Sequence, residues 1–479
     1  MKGKFVVISI TILTLAAVIM SCGTAGSPVE TEKRTGPFTD KRGVSYAFEQ
    51  DKTYREDVEL LAPSVRWFYN WGVQPHEEVA AAAAEHNVLF YPMAWSPYPR
   101  HIEMLDAYLT ENPQIEWIMG YNEPNLTDQA NMTPRQAAKT WPKLIALAKK
   151  HNLKVLSPAM NYGTLQDYGN PWKWLHEFFG MDWYNEEEGK TYKNRGFKGV
   201  SLNDIDAISV HSYMPDAGAL KGYIARFKEY GKPIWLTEFC AWDGINWDSL
   251  THEQGHEIQL KFLSEAITYL ELDPDVEKYA WFIPKGSEHE DHKPYHKLLS
   301  RTVRPDMNPP ELIPLGIVYV NMGTCDKSVW VPAGQTFWAK DFTDMVFSDY
   351  IFKNDDPHWP RNERRKGAGV WFRPGTDSGG APLDMHSFSR GKWVEYQVDV
   401  PAAKAYTFSL RNMVAEATEI AITVSSEAAG DRQPAATVSL SPTTAWRTST
   451  VPVQLEAGRH TLRLTVVEGD CALNWLRLD

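Results

Sequence analysis

Short apolar runs alternate with stretches of helical periodicity between residues 43 and about 320. Strands that alternate with helices are typical of a parallel α/β domain. A count of eight runs over a span near 280 residues favours a (β/α)8 TIM barrel, whose usual size is roughly 250 residues, over the alternative of a doubly wound sheet. The runs are Gly43–Phe48, Val65–Trp71, Val88–Trp95, Trp117–Tyr121, Lys154–Pro158, Ala207–Tyr213, Pro233–Phe239 and Lys278–Ile283.

Two of the intervening segments begin with a clear helix-start signal. Thr133 is followed three residues later by Gln136, and Thr251 by Gln254, so each pair matches a capping box. The first box also has a proline at its opening helical position. Both signals support helices on the outside of the predicted barrel, which we place at residues 41–322.

The pattern changes after residue 322, where helical periodicity stops and apolar and polar residues alternate. This alternation predicts an all-β sandwich of jelly-roll type over residues 323–479. The clearest strands are Trp393–Val400, Tyr406–Arg411, Glu419–Val424 and His460–Thr465.

The first 22 residues have the pattern of an export signal. Lys2 and Lys4 precede a largely apolar run from Phe5 to Met20, which is too short for a comfortable membrane span. Cys22 follows in a setting that resembles the bacterial lipobox, so we expect cleavage before Cys22, its lipidation, and a flexible tether over residues 23–40. The expected location is the membrane, as a lipoprotein at the cell surface or in the periplasm. Ordinary secretion is the alternative.

Composition narrows the class of partner. The net charge of −12 disfavours an extended basic surface, so we expect no nucleic-acid partner. Nineteen tryptophans suit either stacking on sugar rings or large cores. Cys325 and Cys471 fall in the predicted sandwich and are expected to pair in an oxidising compartment, which leaves Cys240 single.

Two glutamates follow apolar strands directly. Glu123 ends the fourth run and Glu238 the seventh, and in a barrel both would meet at the face formed by the carboxyl ends of the strands. A pair of carboxyl groups is what glycoside hydrolysis requires, one as a proton donor and the other as a nucleophile or base. Other residues at the strand ends can contact a sugar, namely Asn70, Trp71, Trp95, Asn122, His211, Tyr213 and Trp281.

A second cluster of candidate ligands follows the eighth run. Residues Glu288 to His296 contain three histidines and three carboxylates, which are zinc-ligand types. Their spacing matches no fixed metal signature, so we interpret the segment as a solvated polar loop and expect neither a metal nor another cofactor.

The motifs Tyr121-Asn-Glu-Pro-Asn125, His211-Ser-Tyr213 and Trp235-Leu-Thr-Glu-Phe239 resemble those of glycoside hydrolase family 128. Tyr69-Asn-Trp71 and Leu315-Gly-Ile-Val-Tyr319 extend the resemblance across most of residues 43–320. It implies an endo-β-1,3-glucanase in which Glu123 is the acid/base, Glu238 the nucleophile, and the anomeric configuration is retained. It also implies that Asn122 binds the sugar 2-hydroxyl, that Tyr213 orients Glu238, and that Trp71 and Trp281 are sugar platforms.

The C-terminal region resembles carbohydrate-binding module families 6 and 35 through Phe337–Phe342, Lys392–Tyr396 and Leu455–Leu462. These modules usually hold a structural calcium through a glutamate in the first strand, where this chain has Lys340. A lysine cannot ligate calcium, so we expect no ion at that position. Trp371 and Asn474 are the candidate glycan contacts of the module.

The preferred function is therefore retaining hydrolysis of β-1,3-glucan by a monomer. A β-1,4-glycan hydrolase of the same clan is one alternative, because a glutamate pair does not specify the linkage. The other is a non-catalytic, surface-anchored lipoprotein that binds glycan. The sequence leaves open whether the glucan is cut internally or at its ends.

Overall fold

The computed structural model describes residues 39–185, 188–302, 308–346, 369–426 and 432–479, all within one compact unit of residues 37–479. The predicted signal peptide with Cys22, and the predicted tether up to residue 38, lie outside the described residues. Within those ranges, no helix combines the length and the hydropathy needed to cross a membrane.

The first part of the unit alternates strands with helices. The strands are β1 (Arg42–Ser45), β2 (Trp67–Tyr69), β3 (Leu89–Phe90), β4 (Trp117–Ile118), β5 (Lys154–Val155), β6 (Trp183–Asn185), β7 (Lys190–Tyr192), β8 (Ile208–Ser212), β9 (Ile234–Phe239) and β10 (Val276–Trp281). The helices are α1 (Tyr54–Leu61), α2 (Glu77–Glu85), α3 (Pro99–Glu111), α4 (Pro134–Lys150), α5 (Pro171–Phe178), α6 (Ala217–Phe227), α7 (His252–Leu272) and α8 (Pro314–Asn321). Short 3-10 turns lie at Gln50–Lys52, Leu202–Asp204, Lys228–Tyr230 and Trp247–Ser249.

Eight of these strands pair in parallel. Six form one sheet in the order β3-β2-β1-β10-β9-β8, and β4 pairs with β5. Isolated parallel bridges join Met93 to Met119, next to β3 and β4, and Leu156 to Ala207, next to β5 and β8. Parallel pairings therefore connect all eight strands, each of which overlaps one of the predicted runs, although β1 and β10 begin one and two residues before theirs. The hairpin of β6 and β7 is an addition that the apolar pattern did not predict.

The strands bury both of their faces, because side chains alternate between them. One face supplies a small aromatic core, with Trp67, Tyr69, Trp117 and Trp235 among its members. The other face packs against the helices in the main hydrophobic core. Since the same strand serves both cores, the direction of each side chain follows from whether its position is odd or even along the strand.

Strand β9 interrupts this alternation with a bulge. It advances three residues from Leu236 to Phe239 while its neighbour β10 advances two, from Tyr279 to Trp281. Against β8 the same step pairs Val210 with Leu236 and His211 with Glu238. The extra residue therefore lies immediately before Glu238, and a bulge of this kind redirects the side chain that follows it.

The second part of the unit is all β in the residues described. Its strands form two six-stranded sheets, one with β11, β13, β16, β18, β19 and β21 and the other with β12, β14, β15, β17, β20 and β22. Their bounds are β11 Val331–Pro332, β12 Thr336–Trp338, β13 Asp344–Met345, β14 Trp371–Pro374, β15 Leu383–Ser389, β16 Trp393–Val400, β17 Lys404–Met413, β18 Thr418–Ser426, β19 Gln433–Leu440, β20 Arg447–Leu455, β21 Gly458–Glu468 and β22 Asp470–Leu478.

The all-β part packs directly on α7. The N–H of Phe372 in β14 donates to Ser264 Oγ at 3.1 Å. Close by, the buried guanidinium of Arg42 donates to Tyr319 O at 2.7 Å and to Met322 O at 3.2 Å, and pairs with Glu271 at 3.3 Å. Arg42 therefore ties the first strand to α7, to α8 and to the start of the connection between the two parts.

An α/β domain with parallel strands followed by an all-β domain is thus confirmed. Both capping boxes are confirmed as well, with Thr133 and Gln136, and Thr251 and Gln254, bonded reciprocally. The predicted boundary at residues 322–323 falls directly after α8 and stays a prediction.

The predicted disulfide between Cys325 and Cys471 is wrong, because both thiols are free and buried. Cys471 lies within β22, where its sulfur donates to Phe388 O at 3.6 Å. Cys325 lies instead in the connection that follows α8. Cys240 is free and buried too, as the sequence suggested.

Candidate active site

Glu123 follows the end of β4, where the chain turns sharply. Its backbone has a φ of 39°, in the left-handed region that residues other than glycine rarely adopt. Its N–H donates to Ala159 O at 3.0 Å, which fixes the turn against the strand next to it. Gly120 permits this close approach, because a Cβ there would lie 2.7 Å from Ser157 O. The carboxyl group is almost fully buried and accepts from Asn161 Nδ2 at 3.1 Å.

Glu238 lies in β9 directly after the bulge, with a side chain only 5% exposed. Three donors converge on its carboxylate. Tyr69 OH and Trp71 Nε1 each donate to Oε1 at 2.7 Å, and Tyr213 OH donates to Oε2. Three hydrogen bonds from neutral donors favour the ionised form of a buried carboxyl group.

His211 joins the two glutamates. Its Nδ1 lies 2.8 Å from Glu123 Oε1 and 3.3 Å from Glu238 Oε2, and the ring is fully buried. Ligand-type atoms of the three side chains all lie within 4.8 Å of one another. The structure therefore brings together two acids that are 115 positions apart in the sequence, 238 − 123.

The charges of this group depend on one another. Burial raises the pKa of Glu238; His211 opposes this rise, Glu123 adds to it, and the donors Tyr213 and Trp71 oppose it, which leaves the pKa above its usual value. Burial alone would lower the pKa of His211, but the carboxylates of Glu238 and Glu123 outweigh burial and raise it. The arrangement can therefore hold a proton among three side chains at a site from which water is largely excluded.

Several of the residues that were predicted to contact a sugar lie around Glu123 and Glu238. Asn122 is buried beside Glu123, and its Nδ2 donates to Gln129 Oε1 at 3.1 Å, whereas its Oδ1 has no hydrogen-bond partner within the described protein. His211 Nε2 is likewise without a partner there. A buried polar atom without a partner is unusual, so both atoms are candidates for a hydrogen bond with a bound sugar.

A cavity of about 300 Å³ is lined in part by Trp71, whose Nε1 donates to Glu238, and by the half-buried Trp95. The remaining lining residues are Gly72, Val73, Met93, Arg100, His101 and Met104, so neither acid lines it. The cavity therefore offers aromatic surface that is linked to Glu238 through Trp71, and aromatic surface suits sugar binding.

One predicted sugar contact is wrong. Trp281 is fully buried in the helix-facing core, where it packs against Phe239 and its Nε1 donates to His296 O at 2.7 Å. The error arises because a residue near a strand end faces the site only if it lies on the correct side of the alternation. The amide group of Asn70 bonds the backbone of its own loop, at Gln74 O and Gly72 N, and its contact with a sugar stays a prediction.

Three residues that contact the site were not among the predicted site residues. Tyr69 donates to Glu238, Asn161 donates to Glu123, and Phe282 packs edge-on against Trp71 and Tyr213. The period-two alternation that includes Trp71 would have indicated Tyr69. Asn161 and Phe282 lie just beyond their strands, where no sequence period applies.

The candidates of the all-β part do not form a glycan site. Trp371 is buried between the two parts, where the Lys261 ammonium of α7 lies 5.3 Å from its ring centre. Asn474 is fully buried and bonds Ala381 N and Asp384 Oδ1. The Lys340 ammonium lies 2.6 Å from Asp341 Oδ1, so the residues at this position do not fit a calcium ion.

Two families match the chain. Residues 43–319 match the family described as glycosyl hydrolase catalytic core, and residues 363–479 match carbohydrate binding module (family 6). Among curated proteins, the chain is similar to Alkali-sensitive linkage protein 1 of Schizosaccharomyces pombe, with 27% identity over 244 residues. That match covers 51% of this chain and 39% of the relative, so the chain spans well under half of that protein's length.

Among solved structures, the chain is similar to a glycoside hydrolase family 128 subgroup II endo-β-1,3-glucanase from Pseudomonas viridiflava. The identity is 34%, the match covers 59% of this chain and 98% of that chain, and the TM-score is 0.47. A subgroup II endo-β-1,3-glucanase from Sorangium cellulosum is 28% identical, with 58% and 97% covered and a TM-score of 0.45.

Proposed function

Because the chain belongs to the family of glycosyl hydrolase catalytic cores, we propose that it hydrolyses β-1,3-glucan with retention of the anomeric configuration. The observation that carries this proposal is the buried pair Glu123 and Glu238, with His211 between them. The β-1,3 linkage is supported by the similarity to the endo-β-1,3-glucanase from Pseudomonas viridiflava, with which the chain shares 34% identity over nearly the whole length of that enzyme.

The proposed scaffold is a closed (β/α)8 barrel. Parallel pairings among all eight strands support it, as does the position of both acids where β4 and β9 end. In such barrels, reacting groups come from the carboxyl ends of strands that are distant in sequence. This geometry explains how two separate strand ends supply one site.

In the proposed reaction, Glu123 donates a proton to the glycosidic oxygen as Glu238 attacks the anomeric carbon. The bond to the leaving sugar breaks and a covalent bond to the Glu238 carboxylate forms. Glu123, now ionised, then removes a proton from water, which displaces Glu238 and restores the original configuration. Tyr69, Trp71 and Tyr213 suit Glu238 to attack, since they hold both carboxylate oxygens in place.

The separation of the acids supports retention over inversion. An oxygen of each carboxyl group lies within 4.8 Å of the other. Inverting enzymes need carboxyl groups roughly 6.5–9.5 Å apart to hold a water on the far side of the sugar, whereas roughly 5–5.5 Å suits direct attack. The short oxygen–oxygen distance leaves little room for that water.

The roles of the two acids can be tested separately. Glu238→Gln should abolish hydrolysis of a soluble β-1,3-glucan while binding of the glucan stays measurable. Glu123→Gln should slow cleavage of the glucan by about 10²–10⁴-fold, yet cleave an activated aryl glycoside far better, because a good leaving group needs no proton. Unchanged turnover in Glu238→Gln would contradict the assignment.

Two further measurements address configuration and linkage. The first product released should carry the β-anomer when followed by NMR before mutarotation, and an α-product would exclude retention. A panel of β-1,3-glucan, β-1,4-mannan and xylan should show turnover on the first alone. Turnover on a β-1,4-glycan would favour that alternative, and binding without turnover would favour a non-catalytic role.

For the all-β part we propose a structural contribution, supported by its packing on α7 and by the burial of Trp371 and Asn474. For the N-terminus we propose lipidation at Cys22, supported by the apolar run that precedes it. Cys22→Ser should then move the protein from the membrane fraction to the soluble fraction. The monomeric state stays a prediction.

A further inference from the structure

A pair of histidines lies on one face of α7, in its first turns. His252 and His256 are four residues apart, so their side chains are neighbours on the helix surface. Their Nε2 atoms are 3.2 Å apart. Asp291, from the connection between β10 and α8, places Oδ1 at 2.5 Å from His252 Nε2 and 3.7 Å from His256 Nε2. Three ligand types thus converge from two separate segments.

The spacing of these atoms suits a tetrahedral ion. With zinc–nitrogen bonds of about 2.0–2.1 Å, neighbouring ligand atoms lie about 3.3 Å apart. The three measured separations lie on both sides of that value, so side-chain movements of under about 1 Å would accommodate an ion. The side chains of His252 and Asp291 are about half exposed, which leaves a fourth position open to water.

Neighbouring groups hold this arrangement in place. The capping box of Thr251 and Gln254 fixes the first turn of α7. The buried ring of Tyr295 lies between the loop and the helix, with its centre 5.3 Å from His252 and 5.1 Å from His256. Gly255 makes room for that ring, because a Cβ there would lie 2.2 Å from Tyr295 Cε2.

A further histidine of the loop lies beside the carboxylate. His289 is exposed, with Nδ1 3.6 Å from Asp291 Oδ2.

We propose that His252, His256 and Asp291 bind a divalent transition-metal ion, with zinc as the best match. Two imidazoles and one carboxylate suit zinc, cobalt or nickel, whereas calcium and magnesium prefer oxygen ligands alone. The ion would join the start of α7 to the loop that follows β10. Its role is structural, since the site is separate from the pair Glu123 and Glu238.

The loop that follows β10 also contacts residues that surround Glu123 and Glu238. His296 lies five residues after Asp291 and stacks on Phe282 with ring centres 5.8 Å apart. Phe282 in turn contacts Trp71 and Tyr213, both of which donate to Glu238. An ion that fixes the loop therefore stabilises a wall of the active site, and its clearest effect should be on thermal stability.

The test uses the full mature chain without a histidine tag, stripped of metal by a chelator. Calorimetric titration with Zn²⁺ should give one equivalent bound, and Co²⁺ should give the visible absorption bands of a tetrahedral site. Saturating Zn²⁺ should raise the thermal midpoint. His256→Ala, His256→Gln and Asp291→Asn should each weaken zinc binding by about 10-fold or more and remove the shift in midpoint.

His151→Ala is the matched control. His151 also pairs with an aspartate at a helix end, with its Nε2 2.6 Å from Asp106 Oδ1, but it belongs to no cluster of three ligand types among the described residues. Its loss should leave zinc binding unchanged. The proposal is overturned if the parent chain binds no zinc, or if the His256 and Asp291 variants bind it as tightly as the parent. It is also overturned if binding is lost in Glu238→Gln and kept in His256→Ala, which would place the ion at the acids.

Discussion

Replacing Tyr69 by phenylalanine removes one hydroxyl group from the surroundings of Glu238 and little else. Tyr69 is fully buried, and its hydroxyl donates to Glu238 Oε1 at 2.7 Å. A hydrogen bond to a charged group contributes about 1.5–3 kcal/mol. If that contribution is needed when Glu238 attacks, kcat/KM should fall by about 10-fold to 100-fold, since each 1.36 kcal/mol is a factor of ten in rate.

The same change has a definite sign in the pH profile. The hydroxyl stabilises the ionised form of Glu238, so its removal raises the pKa of Glu238 further above its usual value. Ionised Glu238 is then available only at higher pH, and the acid limb of the kcat/KM profile should move to higher pH. The assay is release of reducing ends from a soluble β-1,3-glucan across a range of pH.

Tyr121→Phe is the control for this prediction. Tyr121 is buried beside Asn122, and its hydroxyl bonds to Thr140 Oγ1 at 3.1 Å, away from both acids. Tyr121→Phe should leave kcat/KM and its pH profile unchanged. If Tyr69→Phe behaves like Tyr121→Phe, the hydrogen bond to Glu238 has no part in catalysis and the reasoning is wrong.

Four other changes have expected outcomes. His211→Asn removes a group that lowers the pKa of Glu238, so the acid limb of kcat/KM should again move to higher pH; a profile that does not move would contradict this. Trp281→Phe should lower the free energy of unfolding by about 1–2 kcal/mol in urea titrations and leave KM unchanged, whereas Trp95→Ala should raise KM at nearly unchanged stability. A rise of KM in Trp281→Phe alone would restore its role as a sugar platform. Arg42→Met breaks a buried ion pair and should cost about 3–5 kcal/mol of unfolding free energy, and an unchanged denaturation midpoint would refute that estimate.

The sequence was sufficient to locate the strands and both acids. Apolar runs report burial directly, and each predicted run overlaps an observed parallel strand. Because Glu123 and Glu238 follow two of those runs, their positions could be inferred without any contact information. The resemblance to glycoside hydrolase family 128 and to module family 6 is confirmed by the family matches and by the solved relatives.

Which side of a strand faces the site was harder to infer. Two backbone features change the direction of side chains locally, namely the bulge in β9 and the turn at Trp71, whose φ is 59°. Neither can be recognised in the pattern of apolar residues. Trp281 lies in β10, and its predicted place at the site is wrong because its side chain falls on the helix-facing side of that strand. Tyr69, by contrast, lies two positions before Trp71 on the same face and could have been predicted from that spacing.

Long-range contacts between polar side chains are still harder to predict from a single sequence. The ligand types of residues 288–296 were considered among themselves, where their spacing matches no metal signature. The fold instead brings Asp291 to His252 and His256, which lie 35 and more positions earlier in the chain. Contacts that the sequence does not reveal place these segments side by side, among them the packing of Tyr295 against Gly255 and the hydrogen bond from Gln259 Nε2 to Pro294 O.

The bulge in β9 also restricts how this chain can vary. Strand β9 cannot lose a residue before Glu238 without changing the direction of that side chain. A deletion of one position there would remove the bulge, restore regular alternation and turn the carboxyl group toward the helices. Such a deletion would preserve the apolar character of the strand and the packing of most of the domain. We expect a folded but inactive protein to result, so a gap between Leu236 and Phe239 in an alignment of related chains would indicate either a misaligned Glu238 or a relative that has lost hydrolysis.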